Sequence, residues 1–173
     1  DSRARLTHSP AMIIRAYEPS DLPALHVINQ AGVPGVGDET QDSLGTWLGL
    51  SDARVAVDDS GRLLGFINLL PPGTMEYTSA NLRWLEAWGD DFIYVDRIAI
   101  AETARGQRIG EALYAAAFDA YAGKTSWITC EVNLRPPNPG SLRFHDRLGF
   151  REIGRRSYAD DTKEVVYLAR PLA

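Results

Sequence analysis

Cysteine is almost missing from this chain. Cys130 stands alone among 173 residues, so no internal disulfide can form and a reducing cytoplasm is the expected compartment. Histidine is nearly as scarce. His8, His26 and His145 are scattered, which supplies no ligand cluster, so no metal is expected. No apolar run reaches the roughly 18 residues that a membrane helix needs, and no signal-peptide core begins the chain, so no membrane partner is expected. An excess of positive charge is also lacking. Eighteen Lys and Arg face 23 Asp and Glu, a net charge of -5, which argues against bulk binding of nucleic acid. Repeats and low-complexity blocks are absent. What is left is an ordinary globular composition, 45% hydrophobic and 24% charged, at a length that suits one domain.

Residues 1–11 read as a polar, unpatterned leader, with Met12 as the expected native start and 12–173 as the single domain. Met12 to Ala16 has strand composition, and Ser20 or Asp21 can cap a helix that continues to about Gln30. Ala31 to Asp38 holds three glycines and a proline and reads as a loop; Thr40 to Leu50 follows as a short helix. Two strands, Arg54 to Val57 and Leu63 to Leu69, flank the turn signal Asp58-Asp59-Ser60-Gly61. The aromatics Tyr77, Trp84 and Trp88 either cover a pocket or pack as a short helix. Phe92 to Ile100 is a strand, Gln107 to Ala122 a helix and Ser126 to Val132 a strand. A helix from Asn138 or Ser141 to Leu148 and two closing strands, Phe150 to Arg155 and Glu164 to Leu168, complete the chain. Hairpins in the first half and alternation in the second predict a mixed α/β sheet with helices on its faces.

The most informative turn joins the strand at Phe92 to the helix at Gln107. Arg105-Gly106-Gln107-Arg108-Ile109-Gly110-Glu111 places two glycines and two arginines at a helix N-terminus. Backbone N–H groups there have no intrahelical partner, and the helix dipole adds positive character, so the turn suits a phosphate. The spacing is neither that of a P-loop nor G-x-G-x-x-G. Gln107-x-x-Gly110-x-Ala112 resembles instead the [QR]-x-x-G-x-[GA] motif of the GNAT N-acetyltransferase family. About 30 residues later, Asn138-x-x-Ser141-x-x-Phe144-His145-x-x-x-Gly149-Phe150 resembles that family's second motif. The recognisable motifs lie between about Phe92 and Gly154.

The resemblance implies a GNAT-like, mostly antiparallel sheet of about seven strands. The strand at Phe92 and the strand at Ser126 would splay into a cleft that holds acetyl-CoA. Its pyrophosphate would meet Arg105, Gly106, Gln107, Arg108, Ile109, Gly110 and Glu111. Its pantetheine would pair with the backbone of Ile98, Ala99 and Ile100. Asn138 and Ser141 would line the opposite wall or act only as helix caps. His145 stands where many members carry a tyrosine near the CoA sulfur; it is either a general acid or a hydrogen-bonding residue with water as the acid.

Family chemistry is direct attack of an amine on the thioester carbonyl, with loss of CoA thiolate. Asp96 is nominated as base, since strand alternation puts it on one face with Tyr94, Ile98 and Ile100. Glu131 is the second candidate. Cys130 is expected to be a buried, inert thiol. The acceptor rim is expected from Val33 to Thr46, made acidic by Asp38, Glu39 and Asp42, with Trp84 and Trp88 closing the other side. A small amine or amino acid is the expected partner. Peptide acetylation and a non-catalytic acyl-CoA sensor are the alternatives, and the resemblance allows a homodimer. If Met12 is the native start, mass spectrometry of the natively expressed protein will give a mass beginning there; a mass that includes the leader overturns it.

Overall fold

Short polar side chains mark where the helices begin. Thr40 Oγ1 accepts the Ser43 N–H (3.1 Å), Ser79 Oγ accepts that of Leu82 (3.3 Å) and Asn138 Oδ1 accepts that of Ser141 (3.4 Å), each satisfying a helix donor that has no carbonyl partner. The computed structural model describes residues 11–172, so the expected leader, apart from Ala11, lies outside the described residues. Seven strands are formed: β1 (Met12–Ala16), β2 (Asp52–Asp58), β3 (Leu63–Leu70), β4 (Phe92–Ile100), β5 (Trp127–Arg135), β6 (Arg151–Tyr158) and β7 (Lys163–Pro171). Five α-helices are interleaved: α1 (Leu22–Ala31), α2 (Gln41–Leu50), α3 (Ala80–Trp88), α4 (Ile109–Tyr121) and α5 (Pro139–Arg147). None among the described residues is long and apolar enough to cross a membrane.

The strands form one sheet in the order β1-β2-β3-β4-β5-β7-β6, antiparallel except between β4 and β5. The expected mixed α/β class is the fold found. Helices α4 and α5 cover one face, where Leu113, Ala117 and Phe144 pack with Ile93, Val95, Ile128 and Val132. On the other face, α1 and α2 set Leu25, Ile28, Leu44 and Leu48 against Val55 and Phe66. Beside them α3 sets Leu82 and Leu85 against Phe92, Tyr94 and Tyr167. Each such fully buried aliphatic or aromatic side chain contributes about 1.5–3 kcal/mol by removal from water.

One open alternative is decided and two sequence expectations change. The stretch 74–90 contains a true helix, α3, capped by Ser79. Helix α4 starts at Ile109 rather than Gln107, because Arg108 takes a left-handed conformation (φ 61°, ψ 25°) that no helix can continue through. Finally, β4 is bulged. Asn68 pairs with Arg97 but Leu69 pairs with Val95, so Asp96 is an extra residue. Alternation reverses there. Ile93 and Val95 share the α4 face with Ile98 and Ile100, so Asp96 does not share a face with Ile98 and Ile100. At the bulge the buried Asn68 side chain replaces the lost ladder partner and accepts the Arg97 N–H (3.1 Å).

The aromatics of α3 lock it to the sheet. Trp84 stacks on Tyr167 with centroids 4.0 Å apart and planes at 7°. The neighbouring strand carries glycine where the indole lies: a Cβ on Gly154 would stand 2.4 Å from two atoms of the Trp84 ring. Gly154→Ala must therefore displace the stack. We expect it to lower stability by about 1–3 kcal/mol through overpacking, read from urea denaturation midpoints; a wild-type midpoint would contradict this packing.

Candidate active site

The site exists because two parallel strands part company. Strands β4 and β5 pair from Phe92–Trp127 to Tyr94–Thr129 and then separate, although β4 continues to Ile100 and β5 to Arg135. Beyond that point β4 keeps its β3 partner and β5 its β7 partner, so both arms are rigid while the gap between them stays open. The resulting cavity, about 1230 Å³, runs from the N-terminus of α4 to the α1–α2 loop and the β6–β7 hairpin.

At one end lie the turn before α4 and the start of α5. Arg105, Gly106, Arg108, Ile109, Gly110 and Glu111 line the cavity there, as do Asn138, Ser141 and His145. Gln107 is the one predicted cradle residue that does not. Gly106 has φ +77° with open space where a Cβ would be, so a ligand can approach its backbone. Gly110 lines the cavity and also serves packing: a Cβ there would meet the Phe144 ring at 3.0 Å, so it lets α4 pack against α5. No side chain caps α4, and its first internal turn closes with the Ala112 N–H donating to the Arg108 carbonyl (3.1 Å). The N–H groups that precede it are those for which a helix offers no carbonyl partner. Along one wall run Ile98, Ala99 and Ile100, on the arm facing the gap.

His145 is buried (3% exposed) on this wall. Its Nδ1 lies 2.8 Å from the Ser141 carbonyl, which can only accept, so the proton sits on Nδ1. Nε2 is then an acceptor and takes the Tyr114 hydroxyl (2.7 Å). Burial pushes the imidazole below its ordinary pKa, against the opposing effect of the Ser141 bond. Cys130 is buried beside Tyr114, and burial holds its thiol well above the ordinary value, as suits an inert side chain.

Two carboxyl groups face each other across the throat of the V. Asp96 accepts from Arg97 Nε (3.0 Å), Asn68 Nδ2 (3.3 Å) and the Tyr77 hydroxyl. It is therefore half of an ion pair whose two side chains are 5% and 6% exposed. Arg97 continues the network to Glu39 Oε1 (3.0 Å), Asn29 Oδ1 (3.0 Å) and the Gly37 carbonyl (3.3 Å). Glu131 has no cation of its own. It accepts from the Tyr94 hydroxyl (2.7 Å) and Asn81 Nδ2 (3.1 Å). Burial and the negative Asp96 push its carboxyl up to about 8 from the ordinary 4.5, against the Tyr94 bond and the positive Arg97.

The acceptor end is ringed by the loop 32–38, Tyr77, Tyr158 and Lys163. Of the acidic rim expected there, Asp38 lines the cavity, Glu39 is paired with Arg97, and Asp42 sits in the first turn of α2. The loop is tied to both arms: Gly37 to Arg97 on β4, and the Pro34 carbonyl to Asn133 Nδ2 on β5 (2.9 Å). Trp84 and Trp88 do not close this end. Trp84 is stacked on Tyr167 and Trp88 packs on Phe92 and Trp127, while Tyr77 takes the wall position instead. Tyr77 was among the aromatics offered as a pocket cover, whereas Asn81 escapes a reading of the sequence because a lone polar residue in an aromatic helix gives no periodic signal. Tyr94, by contrast, was visible within the β4 string.

Residues 23–150 match the model of the Acetyltransferase (GNAT) family. No curated protein sequence matches. Solved structures similar to this chain include Ard1 from Thermoplasma volcanium, with a TM-score of 0.72 at 19% identity over 94% of this chain and 99% of that one. The ribosomal-protein-S18-alanine N-acetyltransferase from Escherichia coli gives 0.70 at 17% identity, covering 94% and 95%. The protein yncA from Salmonella typhimurium, solved with its cofactor acetyl-CoA, gives 0.69 at 15%, covering 94% and 95%. At these identities the structural likeness is one of fold. The family match spans most of the chain, which belongs to the GNAT acetyltransferase family.

The Glu131 carboxyl makes stability depend on pH. Its folded value, about 8, lies above its ordinary 4.5, so between those values the folded state holds a proton that the unfolded state releases. The contribution is complete below about pH 4.5 and is lost as pH rises through about 8. Denaturant titrations across this window will give a steeper loss of stability for the wild type than for Glu131→Gln. Parallel slopes would contradict the assignment.

Proposed function

We propose that this member of the GNAT family transfers the acetyl group of acetyl-CoA to the primary amine of a small molecule or amino acid. One observation carries the reading: a single cleft joins the uncapped N-terminus of α4, beside Arg105 and Arg108, to a buried carboxyl of raised pKa at the throat. The residues suit the cosubstrate. Open backbone at Gly106, the uncapped N-terminus of α4 and the charges of Arg105 and Arg108 are what a pyrophosphate needs, with Glu111 and Ile109 completing that wall. The unpaired edge of Ile98, Ala99 and Ile100 suits an amide-bearing arm, with Asn138 and Ser141 opposite. Asn138 caps α5 as well, so both roles coexist.

Acetyl-CoA supplies the activated thioester; the chain supplies position and a place for protons. Glu131 is our choice of base over Asp96. A base needs an oxygen free to take a proton, and those of Asp96 already accept from Arg97, Asn68 and Tyr77. Glu131 has a proton affinity matched to an amine near neutral pH. A free N–H on the β4 edge is the oxyanion donor. We assign His145 a hydrogen-bonding role, because its Nε2 already accepts from Tyr114 and its Nδ1 proton is held by Ser141. The leaving thiolate then takes its proton from water. Tyr77, Tyr158 and the tied loop 32–38 enclose the acceptor end, which favours a small amine over a peptide.

Thiol release from acetyl-CoA across amino acids, polyamines, aminoglycosides and lysine peptides, with calorimetry of CoA binding, tests this. We expect CoA binding and turnover of a small amine, with kcat/KM reduced about 10²–10⁴-fold in Glu131→Gln. Loss in Asp96→Asn with a wild-type rate in Glu131→Gln would return the base to Asp96. Binding without turnover on any amine would favour a sensor, and absent CoA binding would remove the cradle reading.

A further inference from the structure

The Glu131 carboxyl is held by a chain of hydrogen bonds that reaches the sheet edge. Asn81 Nδ2 donates to Glu131 Oε1 (3.1 Å). On its other side Asn81 Oδ1 accepts from Arg156 Nη2 (3.0 Å) and from the Tyr167 hydroxyl (2.8 Å), while Arg156 Nε donates to the same Tyr167 oxygen (2.9 Å). Arginine carries donors only, so the amide edge that faces it must be the oxygen. The nitrogen is thereby turned toward Glu131 and cannot flip without two donors losing their acceptor. Arg156 itself is fixed over the Tyr158 ring, 4.7 Å from its centroid.

We propose that Asn81, gripped by Arg156 and Tyr167, is the residue that positions the Glu131 carboxylate for proton transfer. The inference rests on Glu131 as the base proposed above. An amide N–H stabilises the ionised carboxylate more than the neutral acid, and a guanidinium bonded to the amide oxygen strengthens that donor. Asn81 is thus a positioning residue, and Arg156 acts through it from β6, outside the cavity wall. Other groups facing Glu131 are Tyr94, Asp96 and Arg97 from β4, Tyr77 before α3, Tyr114 from α4, Tyr167 from β7 and Cys130 on its own strand. None of them donates to Oε1.

The test pairs a carbon-detected NMR titration of the Glu131 carboxyl in the ligand-free protein with the pH profile of kcat/KM for an amine that turns over. Wild type is compared with Asn81→Ala, Arg156→Gln and Arg156→Lys. We expect the titration and the rising limb of the rate to move together to higher pH by about half to one unit in Asn81→Ala. That costs about three- to tenfold at pH 7 and is recovered at alkaline pH, with KM little changed. Arg156→Gln moves both in the same direction by less, and Arg156→Lys restores part of the shift. Arg156 is half-buried on the edge strand, so its variants carry the test if Asn81→Ala does not fold. An unmoved titration with a rate lowered equally at every pH means a merely structural amide and overturns the proposal. A titration that moves while the rate profile stays fixed removes Glu131 as base, and the proposal falls with it.

Discussion

Everything in this protein that concerns chemistry depends on where β4 and β5 stop bonding to each other. A parallel pair gains a hydrogen bond for every step it continues, so an open gap between two long strands needs a cause. Local irregularities coincide with the parting. Asp96 is inserted as a bulge and Arg97 turns its N–H to the Asn68 side chain, while Tyr94 and Glu131 place side chains across the throat. Each arm keeps a full antiparallel partner on its outer side, which makes the unpaired inner edges tolerable.

The two carboxyl groups at that throat illustrate how surroundings sort identical chemistry. Both are taken from water. Asp96 receives a guanidinium and two further donors, so its charge is compensated where it stands. Glu131 receives only neutral donors and feels the charge of Asp96, so its proton is retained to a much higher pH. A buried carboxyl group whose proton affinity is raised by its surroundings marks a candidate site of proton traffic. The guanidinium that donates to Asp96 through Nε also donates to Glu39, Asn29 and Gly37 through its Nη atoms, so the group that compensates one carboxylate also anchors the loop 32–38.

The strand–turn–helix cradle and the Asn138–Phe150 string were legible because each is local: its residue types and spacings carry the geometry with little help from elsewhere. The sheet class was legible for a similar reason, since hairpin turns and helix caps are short-range. Asp96 and Glu131 could be picked out as candidates, but their ranking could not. A bulge is a property of two strands, and nothing within Phe92–Ile100 announces that Asp96 has no partner. Glu131 accepts from Asn81, fifty residues earlier on α3, and no pattern within either segment links the two. The packing role of Gly110 was hidden for the same reason: its neighbour is Phe144 on another helix.

The loop between α1 and α2 has a mechanical meaning. It is fastened to β4 through Arg97 and to β5 through Asn133, so with the floor of paired residues below it completes a closed frame around the cleft. An open V of two strands is a tuning fork whose prongs bend independently. Bridged near its mouth, it becomes a girder, and the spacing between the prongs is set by the length of the bridge rather than by what lies between them.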